Sequence, residues 1–255
     1  MHKDDLLLNE ALELIRQAKY LVAFTGAGIS VESGIPPFRG EEGIWSKYDP
    51  GVLDISRYRS SPDETWPVIK EIFYNFFAEA VPNKAHYFLA FLEQKGILKS
   101  VITQNIDNLH QDAGSKKVIE YHGNSQWLLC TSCGDKTKVR EELITAEAPR
   151  CKKDGGLLKP DFVFFGEPIP EMAAIHSNSE AEKSDVLLLI GTTGEVMPAS
   201  LVPRMAKNQG SKIIEINPQE TVYTSSISDI FLKGKAAQIS ELMMLALQNE
   251  KISEI

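Results

Sequence analysis

The sequence predicts an α/β fold in which a parallel β-sheet is covered by helices on both faces. Three observations carry this prediction. Short β-prone apolar runs recur along the 255 residues, helix-like segments stand between them, and the residues just after several runs are polar or glycine-rich. In open parallel sheets ligands sit beyond the carboxyl ends of the strands, so that polarity marks a candidate site.

In chain order, the first twenty residues, MHKDDLLLNEALELIRQAKY, set acids beside leucines and lack an apolar core followed by a small-residue cleavage site. They read as an amphipathic helix rather than an export signal. Tyr20 to Phe24 is β-prone and runs straight into Thr25-Gly26-Ala27-Gly28, a strand feeding a glycine turn. Leu98 to Thr103, Asp185 to Gly191 and Lys212 to Asn217 repeat the strand pattern. Ala85 to Glu93 and Ala199 to Asn208 are helix-like, and Ile239 to Gln248 reads as a closing amphipathic helix. Two stretches break the alternation. Residues 41–81 are rich in aromatics (Trp45, Tyr48, Trp66, Phe73, Tyr74, Phe76, Phe77) and helical in their second half, and residues 124–160 hold all three cysteines. Both read as insertions, which leaves 1–40, 82–123 and 161–255 as the main domain.

The formal charge of -8 argues against a grip on phosphate backbones, which depends on clustered Lys and Arg, and a lysine-rich peptide is the more natural partner. No stretch is apolar for long enough to span a bilayer. An odd cysteine count with a C-x-x-C pair suits a reduced compartment, so a soluble cytoplasmic protein is expected.

Glycines in Gly26-Ala27-Gly28-Ile29-Ser30 would let the backbone approach a pyrophosphate, with the following amides donating to the anion. The motif alone is weak, because such a turn is often only a tight connection. The third glycine of a dehydrogenase fingerprint is replaced by Val31, and no acidic residue ends a second strand to hold a ribose, so a standard dehydrogenase fits poorly. Thr103-Gln104-Asn105-Ile106-Asp107-Asn108-Leu109-His110 offers a strand end able to bond a carboxamide and ribose hydroxyls together; helix capping by Asn105 or Asp107 is the plainer alternative. His122 stands in Tyr121-His122-Gly123, where the glycine would leave one side of the ring uncrowded, yet spacing alone favours a structural histidine. His2, His86, His110 and His176 keep the structural reading. Cys130-x-x-Cys133 followed by Cys151 and Asp154 has the spacing of a four-ligand zinc site with an oxygen ligand last; a metal-free loop is the alternative.

Taken together, GAGISVESGIPPFRG (26–40), TQNIDNLH (103–110), Tyr121-His122-Gly123, the interrupted cysteine quartet, KPDFVFFGE (159–167) and the Gly191-Thr192-Thr193 turn resemble, in that order, the motifs of the sirtuins. The resemblance spans nearly the whole chain. It implies a Rossmann-like large domain and a small domain made from a zinc-ribbon-like insert and a helical insert, with NAD and an acyl-lysine peptide meeting between them. By the same resemblance Ala27 and Gly28 line the phosphate site, with Gly26 and Ser30 also binding the cofactor, and Phe38 and Arg39 belong to a mobile cofactor loop. Gln104, Asn105 and Asp107 shape the ribose and nicotinamide pockets, Thr192, Thr193 and Asn217 hold the adenosine half, and Gly191 and Ala236 are further cofactor-binding residues. Val163, Phe164, Phe165, Gly166 and Glu167 form the strand to which substrate adds, and Cys130, Cys133, Cys151 and Asp154 bind structural zinc.

The implied activity is removal of acyl groups from protein lysines, giving nicotinamide, O-acyl-ADP-ribose and free lysine, with His122 as general base and Asn105 and Asp107 orienting the carboxamide. Sirtuins that prefer succinyl or malonyl groups carry Tyr-x-x-Arg; here Tyr74-Asn75-Phe76-Phe77 has Phe in the Arg position, so neutral acyl groups, acetyl or longer, are expected. The chain departs from the family pattern at Asp154, at Pro37 and at Gly194, and the last predicts a looser adenosine side. Protein mono-ADP-ribosyl transfer and a non-catalytic NAD- and acyl-lysine-binding module are the alternative functions. A monomer is expected.

Overall fold

A computed structural model describes residues 3–38, 40, 43–76, 79–145 and 147–249. Six strands form one parallel sheet: β1 (Leu21–Thr25), β2 (Leu98–Thr103), β3 (Val118–Glu120), β7 (Val186–Ile190), β8 (Lys212–Asn217) and β9 (Ile230–Lys233). Their spatial order, β3-β2-β1-β7-β8-β9, is that of a Rossmann-like sheet.

Every residue of β1 and of β7 is buried, which explains why both read as unbroken apolar runs rather than alternating ones. Successive residues face opposite sides. Leu21, Ala23, Val101, Leu188 and Ile214 point into a core shared with α1 (Lys3–Gln17), α4 (Lys84–Gln94) and α8 (Ala236–Asn249). Val22, Phe24, Ile102, Leu187, Leu189 and Ile213 point the other way, toward α6 (Glu171–Lys183) and α7 (Leu201–Asn208). A short helix, α5 (Leu109–Asp112), follows β2. No helix among the described residues is long and apolar enough to cross a membrane.

The two edge strands β3 and β9 and helix α6 are additions to the sequence reading. Strands of three and four residues are too short to carry a period, and α6 buries only Ser177, Glu180 and Ala181, so its sequence shows little apolar stripe.

A second, antiparallel sheet is built from β4 (Gly123–Cys130), β5 (Lys136–Lys138) and β6 (Leu158–Phe162) in the order β5-β4-β6. It runs two residues past the expected boundary at 160. Against it packs the aromatic insertion, with α2 (Ile55–Ser60), α3 (Pro62–Lys70) and a π-helical turn over Glu71–Phe76. Asp54 caps α2 by accepting from the amides of Ser56 and Arg57, and Pro62 opens α3 where no amide is needed. Trp66, Tyr58, Ile69 and Phe73 share one core with Leu128, Leu158 and Phe162 of the second sheet. Two side-chain bonds cross between the insertions: Trp66 Nε1 to Thr145 O (3.1 Å) and Tyr58 Oη to Leu158 O (2.6 Å).

That sharing predicts a large effect at Trp66, which is fully buried. Trp66→Ala should lose about 3–5 kcal/mol of stability in urea unfolding. A loss below about 1 kcal/mol, the range of ordinary surface changes, would contradict the common core.

Candidate functional site

Strand order reverses between β1 and β7, and the chain leaves the carboxyl end of each strand through glycine. After β1, Ala27–Ser33 forms a 3-10 helix closed by Gly34. Gly26 N–H donates to Ile190 O (3.0 Å), Gly28 N–H to Gly191 O (2.8 Å) and Ile29 N–H to Gly26 O (3.1 Å). The amides of Gly26 and Gly28 are therefore spent on the end of β7 and the loop after it, and that of Ile29 within the turn, so none of the three is left free for an anion. The glycines are required first by close approach: a Cβ on Gly28 would lie 2.6 Å from Gly191 Cα, and one on Gly191 2.3 Å from Ile29 N.

Behind this turn lies a polar network. Ser30 Oγ donates to Asp107 Oδ2 (2.7 Å) and accepts from Asn105 Nδ2 (3.1 Å). His86 Nδ1 accepts from the Asn83 amide (3.2 Å), so the ring proton sits on Nε2, which faces Ser30 Oγ at 3.4 Å. His110 Nε2 stands 2.9 Å from Thr25 Oγ1, itself bonded to Thr103 Oγ1 (2.9 Å). Burial holds His86 down at about 4 and pushes His110 well below the usual imidazole range, so both rings are neutral. Burial pushes the Asp107 carboxyl upward, opposed by bonds from Ser30 and from the Leu109 amide. That amide reaches Asp107 Oδ1 at 3.0 Å, a local turn ahead of α5 whose cap residue is Asn108, so one carboxylate oxygen fixes the chain entering α5 while the other holds Ser30.

His122 sits between β3 and β4. Its Nδ1 lies 3.0 Å from Gln104 O, and because a carbonyl only accepts, Nδ1 carries the proton and Nε2 keeps its lone pair. Burial lowers the His122 pKa, with the Gln104 bond opposing it. The glycine that follows has a different purpose from the one expected. Gly123 has φ of 77°, and a Cβ there would stand 2.2 Å from Asp161 O, so it lets β4 close onto β6. His122 O then accepts from Val163 N–H (2.9 Å), which ties the ring's backbone to the segment 163–167.

In that segment Phe165 N–H donates to Leu53 O (2.8 Å) and Phe165 O accepts from Ile55 N–H (3.1 Å), joining it to the aromatic insertion. Phe164 is buried against Tyr58 and Phe162, whereas Phe165 is 52% exposed. Phe38 packs on Trp45 and Phe73, with ring centroids 5.6 and 6.4 Å away; Arg39 lies outside the described residues.

On the β7–β8 side, Thr192 Oγ1 accepts from Gln104 Nε2 (3.0 Å), and Thr192 O accepts from Asn217 Nδ2 (3.2 Å). Asn217 also donates to Glu215 Oε1 (3.1 Å), a fully buried carboxylate that gathers the hydroxyls of Thr221, Thr224 and Ser228. Thr193 is exposed, 3.4 Å from Glu195. Ala236 opens α8, and the Ala237 amide donates to Glu32 Oε2 (2.6 Å), which fastens that helix to the 3-10 helix. Gly194 does not loosen this side: a Cβ there would come within 2.6 Å of both Tyr223 and Val222.

A profile described as the Sir2 family matches residues 26–198. The chain belongs to the Sir2 family. Among relatives, the NAD-dependent protein deacetylase 1 of Pyrobaculum aerophilum is 44% identical, with 91% of each chain covered. The NAD-dependent protein deacylase of Pyrococcus furiosus is also 44% identical, covering 91% of this chain and 95% of its own. A solved Sir2 structure with a deacetylated peptide and 3'-O-acetyl ADP-ribose superposes with a TM-score of 0.88 at 36% identity, covering 94% of this chain and 98% of its own.

This Sir2 chain also gathers its metal-type ligands. Sγ of Cys130, Cys133 and Cys151 and a carboxylate oxygen of Asp154 lie within 4.8 Å of one another. For tetrahedral zinc with Zn–S of about 2.3 Å and Zn–O of about 2.1 Å, sulfur–sulfur and sulfur–oxygen edges of about 3.8 and about 3.6 Å follow. Cys133 and Cys151 sulfurs are 3.8 Å apart, and Cys130 Sγ is 3.4 Å from Asp154 Oδ1. The donor set fits zinc, and the Gly156 amide (2.9 Å) orients the carboxylate. Residues that sequence reading left out of the Sir2 site are Thr25, Asn83, His86, His110, Glu32 and Glu215. Thr25 and Glu215 lie on buried strands, Glu32 in the 3-10 helix, His86 and His110 in α4 and α5, and Asn83 caps α4, so no shared sequence pattern marks them.

Burial disfavours the imidazolium of His122, so the neutral ring persists below the usual value of about 6.5. Ring-proton NMR of the unliganded protein should therefore show His122 titrating below pH 6.5. A midpoint above that value would contradict the buried neutral tautomer.

Proposed function

We propose that this protein is an NAD-dependent deacylase of protein lysines, converting acyl-lysine, NAD and water into lysine, nicotinamide and O-acyl-ADP-ribose. The observation that carries this reading is the pairing of His122, its Nε2 lone pair unencumbered, with the Asn105–Ser30–Asp107 cluster beyond the same strand ends. The relatives' names and the product-bound Sir2 structure support it.

NAD, when bound, supplies an electrophilic ribose carbon with nicotinamide as leaving group. Asn105 and Asp107 present an amide and a carboxylate already fixed by Ser30, able to orient the nicotinamide carboxamide and ribose hydroxyls without reorganisation. Ala27 and Gly28 would line the phosphates, Phe38 and Arg39 would belong to the cofactor loop, Gln104 would join Asn105 and Asp107 at the ribose and nicotinamide, and Thr192, Thr193 and Asn217 would hold the adenosine half, with Gly26, Ser30, Gly191 and Ala236 as further cofactor-binding residues. His122 Nε2 accepts a proton from a ribose hydroxyl, and the bond from Nδ1 to Gln104 O stabilises the ring as it becomes cationic. Val163, Phe164, Phe165, Gly166 and Glu167 receive the peptide by β-strand addition, which favours modest sequence selectivity. We read the insertions 41–81 and 124–160 as one small domain on their shared core, and the protein as a cytoplasmic monomer without nucleic-acid affinity. Cys130, Cys133, Cys151 and Asp154 would hold a structural zinc that locks the second sheet.

Nicotinamide release with and without an acetyl-lysine peptide, with products identified by mass spectrometry, tests the reading. Peptide-dependent release with O-acetyl-ADP-ribose, reduced at least about 100-fold in His122→Ala, is expected. Release without an acylated product would overturn it. Among acyl groups, acetyl-peptide should exceed succinyl-peptide in kcat/KM by about tenfold or more, since no cation is expected to meet the succinyl carboxylate; Phe77 lies outside the described residues. Equal values would reject the neutral preference. Protein purified without added zinc should carry about one zinc per chain, lost in Cys133→Ala. Full-length native protein without metal would contradict the zinc assignment.

A further inference from the structure

Lys159 lies on β6, just ahead of the segment 163–167, and is only 3% exposed. A buried ammonium is stable only where its donors are met. Here Nζ donates to Phe162 O (2.7 Å) and Pro160 O (2.9 Å) and pairs with Glu167 Oε2 (3.0 Å), which uses all three of its protons. The same charge stands 4.5 Å above the Phe164 ring. Glu167 Oε2 in turn accepts from Phe164 N–H (2.9 Å). One cation thus holds the chain at residues 160, 162, 164 and 167 and folds the intervening backbone into a fixed loop.

That loop carries two further ties. Val163 N–H holds His122 O, and Phe165 exchanges backbone bonds with Leu53 and Ile55. The solvent-facing Phe165 side chain and the backbone beside it are therefore presented by groups that Lys159 fixes from beneath.

Building on the deacylase reading, we infer that Lys159 is a positioning residue for the acyl-lysine peptide: its buried ammonium, with Glu167, shapes residues 162–167 into the strand to which substrate adds. Lys159 touches neither substrate nor cofactor. Its contribution lies in peptide affinity, while NAD is held by other strand ends.

The test compares the native enzyme with Lys159→Met, Lys159→Arg and Glu167→Gln. KM is measured for an acetyl-lysine peptide and for NAD, and peptide affinity is read directly by fluorescence anisotropy of a labelled acetyl-lysine peptide. Lys159→Met should raise peptide KM and weaken anisotropy-measured binding by roughly tenfold or more, with NAD KM within about twofold of native. Lys159→Arg, which still offers donors to the two carbonyls, should recover part of the loss, and Glu167→Gln should show the same peptide-specific defect in milder form. If Lys159→Met does not fold, the other two variants carry the comparison. Peptide affinity unchanged within about twofold, or equal increases in both KM values, would overturn the inference. Absence of peptide-dependent turnover in the native protein would instead count against the deacylase reading, since anisotropy still reports whether Lys159 controls peptide binding.

Discussion

Everything at this site depends on one backbone contact, the close approach of Gly26 and Gly28 to Gly191 where the strand order reverses. Two amide-to-carbonyl bonds, Gly26 to Ile190 and Gly28 to Gly191, stitch the loop after β1 to the loop after β7. No side chain fits between them. The contact fixes where the 3-10 helix starts, and therefore where Ser30 points.

From Ser30 the constraint spreads in two directions. Toward β2 it reaches Asn105 and Asp107, with neutral His86 behind and the Thr25–Thr103–His110 chain beneath. Around β7, Gln104 reaches Thr192 and Thr192 reaches Asn217, so neighbouring strand ends are linked by side chains as well as by the ladder. His122 belongs to the same assembly through Gln104 O on one side and Val163 on the other. His122, the Asn105–Ser30–Asp107 cluster and the segment 163–167, the groups proposed as base, carboxamide-orienting pair and substrate strand, are thereby held by a continuous set of hydrogen bonds, and such preorganisation is what lets polar groups act without rearranging. Lys159 extends that set to the far side of the segment 162–167.

The central strands were legible because burial on both faces forces apolar runs, and the glycine and polar ends were legible because a site at strand ends needs them. The cysteine spacing likewise announced four ligands that the fold brings together. Less could be read where chemistry is carried by pairing between distant segments. Gly123 looked like room for a ring, but its positive φ and the 2.2 Å approach to Asp161 O exist to join β4 to β6, a contact across 38 residues of chain that no local pattern encodes. Gly194 looked like slack and is instead tight packing against Tyr223. His86 keeps its structural reading, fully buried and capping α4, and its tie to Ser30 arises from tertiary placement that no local pattern encodes.

The most direct test of this account is NAD affinity of Gly191→Ala, measured by isothermal titration alongside the native protein. A methyl group at residue 191 would meet Ile29 N at 2.3 Å, so the loop after β1 must move. The account predicts that NAD binding weakens by roughly tenfold (about 1.4 kcal/mol) or more, because the loop after β1 is displaced from the position the cofactor needs. A folded Gly191→Ala protein that binds NAD with native affinity would contradict it.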